Sequence, residues 1–123
     1  MKTYIGTITF NEPLNTDVEL IGNMLSSDHE PCCCEWHELD FDSFKQDFNI
    51  VKDILSQIDK MEIYWEEGMG ITFYFYDGEK RAGIFVPWRW DNNWYYSDNL
   101  TLIVDTPDGR YFEYDIREYQ DTY

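Results

Sequence analysis

Residues 70–78 read GITFYFYDG. Ile71, Phe73 and Phe75 alternate with Thr72, Tyr74 and Tyr76, and Asp77-Gly78 follows directly. Only an extended chain sorts alternate residues onto two faces, so the stretch predicts a strand. Asp-Gly between two such runs is the signal for a tight hairpin, because glycine accepts the positive φ the turn requires. The same period of two recurs in EIYWEE (62–67), in GIFVP (83–87), in NLTLIVD (99–105) and in RYFEYDIR (110–117). GIFVP is expected to stop at Pro87. TPDG (106–109) places Pro and Gly where a second hairpin turns. TYIGTITF (3–10) reads as a further strand, expected to be broken by NEPLN (11–15). Short strands joined by tight turns restrict the second half of the chain to an antiparallel sheet.

One stretch has a helical period instead. Over residues 43–60, Phe44, Phe48, Val51, Leu55 and Ile58 fall on a single stripe. This predicts a helix of about five turns, capped by Asp42 or Ser43, with Lys45, Gln46, Asp53, Gln57 and Lys60 outward. A short N-terminal helix is expected over 16–25, capped by Thr16 and carrying Val18, Ile21 and Leu25 inward, with Gly22 weakening it. The predicted fold is α+β: a six- to seven-stranded, mostly antiparallel sheet with one long helix (about 43–60) on one face. At 123 residues the chain suits one domain, residues 1–123. There are no internal repeats, no run of about 20 apolar residues to span a bilayer, and no apolar core of a signal peptide near the N-terminus. The expected compartment is the cytoplasm, that of a host cell if the chain is phage-encoded.

Three consecutive cysteines, Cys32, Cys33 and Cys34, lie between His29 and His37. A zinc site from His29, Cys32, Cys34 and His37 would draw all its ligands from nine residues, whereas zinc modules space their ligand pairs by a dozen or more. On a strand, Cys34 and His37 would point to opposite faces. A nucleophilic thiolate needs nearby positive charge, and the neighbours are Glu30, Glu35 and Glu38. The cysteines are therefore expected to pack as small apolar side chains at the start of a strand over 33–41. No metal and no cofactor is expected. Phosphate-binding glycine loops, HExxH and GxSxG are absent from the sequence, so the expectation is a protein without catalytic residues.

Charge narrows the partner. Nine Lys and Arg face twenty-five Asp and Glu, a net of −16. No Lys or Arg occurs between Lys2 and Lys45. Solubility alone accounts for a modest excess of acid, but this one exceeds the need. Such a field repels nucleic acid and anionic membrane and accelerates encounter with basic surfaces. The second concentration is aromatic: WRWDNNWYYSDN (88–99) holds five rings between Trp88 and Tyr96. Either Trp88 and Tyr96 close the open end of the core, or the stretch is a recognition loop, since Trp, Tyr and Arg anchor binding surfaces.

CCEWH (33–37) and WYYSDNLTLIV (94–104) together resemble small proteins of phages and mobile bacterial elements that pair an early Cys-Cys-Glu with a late Tyr-Tyr-Ser before a strand. This chain departs from that pattern in its third cysteine and in Trp88, Trp90 and Trp94. The resemblance implies a mobile-element setting. Small acidic proteins there resemble, as a class, inhibitors of host-defence nucleases, anti-CRISPR proteins among them, and the immunity proteins that neutralise toxins.

These lines converge on a non-enzymatic acidic inhibitor that occupies a basic, nucleic-acid-binding surface of a partner protein, such as a nuclease. Carboxylates would replace phosphates opposite Lys and Arg, and rings would replace stacked bases. The expected charged contacts are Glu66, Glu67, Asp91 and Asp98, and the apolar anchors Trp88, Trp90, Trp94 and Tyr95. No direct nucleic-acid or membrane contact is expected. The alternative is a protein that sequesters a nucleotide-like signal in an aromatic cleft at 88–96, with Arg89 reading a phosphate.

Overall fold

In the computed structural model, residues 2–28, 36–66, 69–91 and 99–117 are described, with backbone alone for 36–38, 89–91, 99 and 117. The architecture is α+β, with two helices and two antiparallel sheets. The elements run β1 (Lys2–Asn15), α1 (Val18–Met24), β2 (Leu25–Asp28), β3 (Trp36–Leu39), α2 (Phe41–Ile54), β4 (Gln57–Glu66), β5 (Gly70–Asp77), β6 (Lys80–Asp91), β7 (Asn99–Asp105) and β8 (Tyr111–Arg117). The major sheet has the order β1-β4-β5-β6-β3 and the minor sheet β2-β7-β8. The expected single sheet is thus two sheets, and the strands β2 and β3 that widen them come from the cysteine-flanking half of the chain.

The two hairpins read from the sequence form as expected. Asp77 pairs with Lys80, leaving Gly78-Glu79 as a two-residue turn, and Gly78 takes φ 61°. Two carboxylates fix that corner: Asp59 accepts from the Gly78 amide at 2.8 Å, and Asp77 accepts from the Ser56 amide at 3.2 Å. The β7–β8 hairpin closes from Asp105 to Tyr111 around Gly109 at φ 88°.

The long helix is shorter than its apolar stripe. α2 covers Phe41–Ile54 and is capped by Asp40, whose carboxylate accepts from the Ser43 amide at 3.4 Å, rather than by Asp42 or Ser43. Leu55 is already extended, at φ −111° and ψ 139°, and Ile58 belongs to β4. Ile58 is buried as the stripe requires, but from a strand paired with Leu14 of β1. The backbone partners that β1 offers to Gln57 and Ile58 outweigh the local helical period. Likewise NEPLN does not end β1. The strand bulges between Thr9 and Leu14, where Pro13 is tolerated because the edge strand needs no donor there. α1 is capped by Asp17, accepting from the Glu19 amide at 2.9 Å, not by Thr16. Only 36–39 of the expected 33–41 strand is described as strand, since Asp40 and Phe41 open α2. β6 does not stop at Pro87. That residue pairs with Gly70 at the start of β5, after which β6 continues beside β3.

One core lies between the sheets and helices. Phe44 and Phe48 of α2 meet Phe75 of β5 edge-on, at 6.1 and 6.3 Å between ring centres, and Phe44 meets Phe73 at 6.1 Å. Leu100, Leu102 and Val104 of β7 with Ile116 of β8 add the minor sheet's inner face. Tyr114 of β8 lies on Gly6, where a Cβ would stand 2.7 Å from its ring, so the absent side chain lets the minor sheet approach β1. Arg110 clamps the same junction, donating to the Thr9 carbonyl at 2.9 Å. Among the described residues no helix is long and apolar enough to cross a membrane.

Candidate acidic interface

Both sheets turn one face inward, so each presents its alternate residues outward. On the minor sheet, burial of Leu25, Leu100, Leu102, Val104 and Ile116 fixes which set faces solvent. Register then aligns the outward set in three rows: Asp28, Thr101 and Asp115; Ser26, Ile103 and Glu113; Asp105 and Tyr111. Asp28, Asp105, Glu113 and Asp115 are all exposed, and Tyr111 is 56 % exposed. Each of these three rows therefore carries a carboxylate, while the register continues to a fourth pair, Asn99 and Arg117, that has none and holds an Arg. Carboxylates two residues apart on a strand, such as Glu113 and Asp115, are roughly 7 Å apart, and neighbouring strands lie about 4.8 Å apart. The result is a flat two-dimensional array of negative charge.

Local bonds hold the array. The Tyr111 hydroxyl donates to Glu113 at 2.7 Å, and Thr101 donates to Asp115 at 3.4 Å. The Tyr111 phenol is held above its ordinary range, first by that hydrogen bond to Glu113, then by burial and by the charges of Glu113, Asp105 and Asp28. At the hairpin tip, Arg110 and the Thr106 hydroxyl hold the Asp108 carboxyl below the usual range. In an NMR titration the Tyr111 ring should deprotonate above the ordinary phenol range near 10. Glu113→Gln should bring the midpoint back down, because the acceptor that stabilises the protonated phenol loses its charge.

The residues singled out in the sequence distribute differently. Trp88 is 6 % exposed and packs on Trp65 with ring centres 5.2 Å apart, so it closes the end of the core as one of the two readings held. With so little surface exposed, Trp88 offers no free ring to a partner. Residues 88–91 are strand, not loop, with Trp90 opposite His37 and Asp91 opposite Trp36 in the β3–β6 register. Glu66 ends β4, partly buried, opposite Lys2 and Gly70. Glu67, Trp94, Tyr95, Asp98, His29, Cys32 and Cys34 lie outside the described residues, as does Tyr96. Among the described residues no group of three or more His, Cys, Asp and Glu is placed to hold a metal ion.

The acidic array itself was not anticipated, although half of its signal is visible. Tyr111, Glu113 and Asp115 alternate with Phe112, Tyr114 and Ile116, so their common face is legible from RYFEYDIR. The contribution of Asp28 is not, because β2 reaches β7 across more than seventy residues. Asp91 ends β6 and β7 begins at Asn99, two residues before Thr101.

A cleft of about 430 Å³ opens between the β1 bulge and the β7–β8 turn. Phe10, Asn11, Glu12, Pro13, Leu14, Pro107 and Asp108 line it. Its lining has two carboxylates and no Lys, Arg or His, the wrong sign for a phosphate-bearing ligand. Comparison with known protein families, curated proteins and solved structures finds no match to this chain.

Proposed function

We propose that the protein is a non-enzymatic inhibitor of the anti-defence or toxin-immunity kind. Its acidic face would occupy a basic, nucleic-acid-binding surface of a partner such as a nuclease. The observation that supports this reading is the three-row carboxylate array on the outer face of β2-β7-β8. A surface that binds a polynucleotide arranges Lys and Arg to meet phosphates in series. Asp28, Asp105, Glu113 and Asp115 offer acceptors in series on a rigid sheet, and carboxylates take the same charge-assisted hydrogen bonds as phosphates. Tyr111, bonded to Glu113, supplies a ring held in place for stacking or cation–π contact. Trp90, Asp91, Trp94, Tyr95 and Asp98 would extend the contact from the Asn99 end of β7. Long-range attraction would raise the association rate and buried rings would slow release.

The test is affinity for a basic nuclease captured by the protein and displaced by DNA. The triple substitution Asp105→Lys, Glu113→Lys, Asp115→Lys removes three acceptors and adds three like charges. We expect a loss of about a hundredfold or more, since charge pairs at such interfaces couple by roughly 1.5 kcal/mol upward. Wild-type affinity should fall steeply with added salt. Undiminished binding by the triple variant would sink the proposal.

A further inference from the structure

The outer face of the major sheet has a different character. Lys2 and Tyr4 on β1, Lys60 and Tyr64 on β4, Tyr74 and Tyr76 on β5 and Arg81 on β6 are brought to one side by register. Burial of Met61, Ile63, Phe73, Phe75, Ile84 and Val86 against the core identifies this as the side away from α2. The rings form a connected row: Tyr4 meets Tyr64 edge-on at 5.6 Å, and Tyr64 meets Tyr74 at 5.5 Å. Tyr74 lies over Gly83, where a Cβ would stand 2.9 Å from the ring. Cations sit on two of the rings, Arg81 at Tyr74 (4.5 Å to its centre) and Lys60 at Tyr76 (4.3 Å), while Lys2 reaches the hydroxyl edge of Tyr74. The hydroxyls are engaged as well: Lys2 donates to Tyr74 at 2.5 Å, and Tyr76 donates to Glu62. These side chains are ordered before any partner arrives, which lowers the entropy cost of docking.

The charge of the face decides its occupant. Among the described side chains of β1, β4, β5 and β6, Lys2, Lys60 and Arg81 stand with Glu62 and Glu66 here, and the register continues to Arg89, Asp91 and Glu38, so the face is mixed in charge although the chain as a whole stands at −16. Two copies repel through every strongly acidic surface they own. They can meet on this face, which carries cations and carboxylates together and is therefore self-complementary under two-fold symmetry. The arrangement also directs the two acidic minor sheets away from each other.

We infer that the tyrosine-and-cation face of the major sheet is an isologous dimer interface, and that the dimer presents two outward acidic faces. This goes beyond the proposed inhibition, which needs only one acidic face, and predicts bivalent engagement of basic partners.

Sedimentation of the full chain over a range of concentrations and salt tests it. The wild type should dimerise, and more tightly as salt rises, because salt screens the repulsion between the two net charges. That trend is opposite to the one expected for partner binding. Arg81→Glu and, separately, Tyr4→Glu should raise the dimer dissociation constant by about tenfold or more, as for central interface residues, with unchanged circular dichroism. Tyr4 is 56 % exposed, so that change leaves the core intact. The acidic-face triple substitution should still dimerise, so the two proposals fail separately. A wild type that stays monomeric at every salt concentration overturns the inference. So does a dimer indifferent to both substitutions, or a monomer that instead binds single-stranded oligonucleotide on this face.

Discussion

Phe44→Ala should lower the unfolding free energy by roughly 3–5 kcal/mol, the usual cost of a buried Phe-to-Ala change. Phe44 has no exposed surface and sits where α2 meets the sheet. Its ring contacts Phe48 at 5.6 Å and both Phe73 and Phe75 at 6.1 Å. Truncation removes the transfer energy of the ring and leaves a hole that three rigid neighbours cannot fill, since Phe73 and Phe75 are fixed by strand pairing on both sides. A domain of this kind is stable by only about 5–15 kcal/mol, so one ring is a large share. Urea denaturation should show the midpoint falling with little change of slope. The exposed Ile50, six residues along on the solvent side of α2 at 51 % exposure, is the control. Ile50→Ala should change stability by less than about 0.5 kcal/mol. Equal effects at the two positions would contradict the packing described.

The second large effect is expected at Gly70. Its φ is 154°, and a Cβ there would stand 2.1 Å from the Val86 carbonyl oxygen and 3.0 Å from the Pro87 Cα. Both obstacles are backbone, so no side chain can rotate away. Gly70 opens β5 opposite Glu66 on one side and Pro87 on the other, where β6 leaves β5 and passes beside β3. Gly70→Ala must therefore shift β6 just before Trp88. We expect a loss of about 3 kcal/mol or more, backbone strain of roughly 1–3 kcal/mol plus the displaced pairing. Gly78→Ala separates conformation from crowding. At φ 61° with nothing within 4 Å, it meets only the left-handed backbone penalty of about 1–2 kcal/mol. Thermal unfolding should rank wild type above Gly78→Ala and Gly78→Ala above Gly70→Ala. The reverse order of the two variants would refute the close approach at β6.

How much of this was legible depends on whether the signal was local. The strands β5, β7 and β8 and both hairpins follow from alternation and turn residues, because those properties are encoded within a few residues. Phe44, Phe48 and Val51 lie on the buried stripe of α2 as the period predicts, and Leu55 and Ile58, buried beyond the helix end, show the limit. A buried position looks the same whether it is reached by a helix or by a strand. The choice at Gln57–Ile58 was made by β1, more than forty residues away. The same holds for the site. The acidic excess is legible from composition alone. Which acids share a face depends on strand pairing, which the sequence does not show: Asp28 stands in one row with Thr101 and Asp115.

By itself the sequence determined the chemistry available to this protein: a large acidic excess, an aromatic core, an α+β arrangement of antiparallel strands and helices, and tight turns at Gly78 and Gly109. The tertiary structure alone decided where that chemistry stands. Pairing β2 with β7 assembled Asp28, Asp105, Glu113 and Asp115 into one acidic plane, and pairing β1 through β6 gathered Lys2, Lys60 and Arg81 against tyrosines on another. The reason is that strand partners are selected by burying apolar faces across long loops, so the polar residues on the reverse side become neighbours through contacts that no local pattern records.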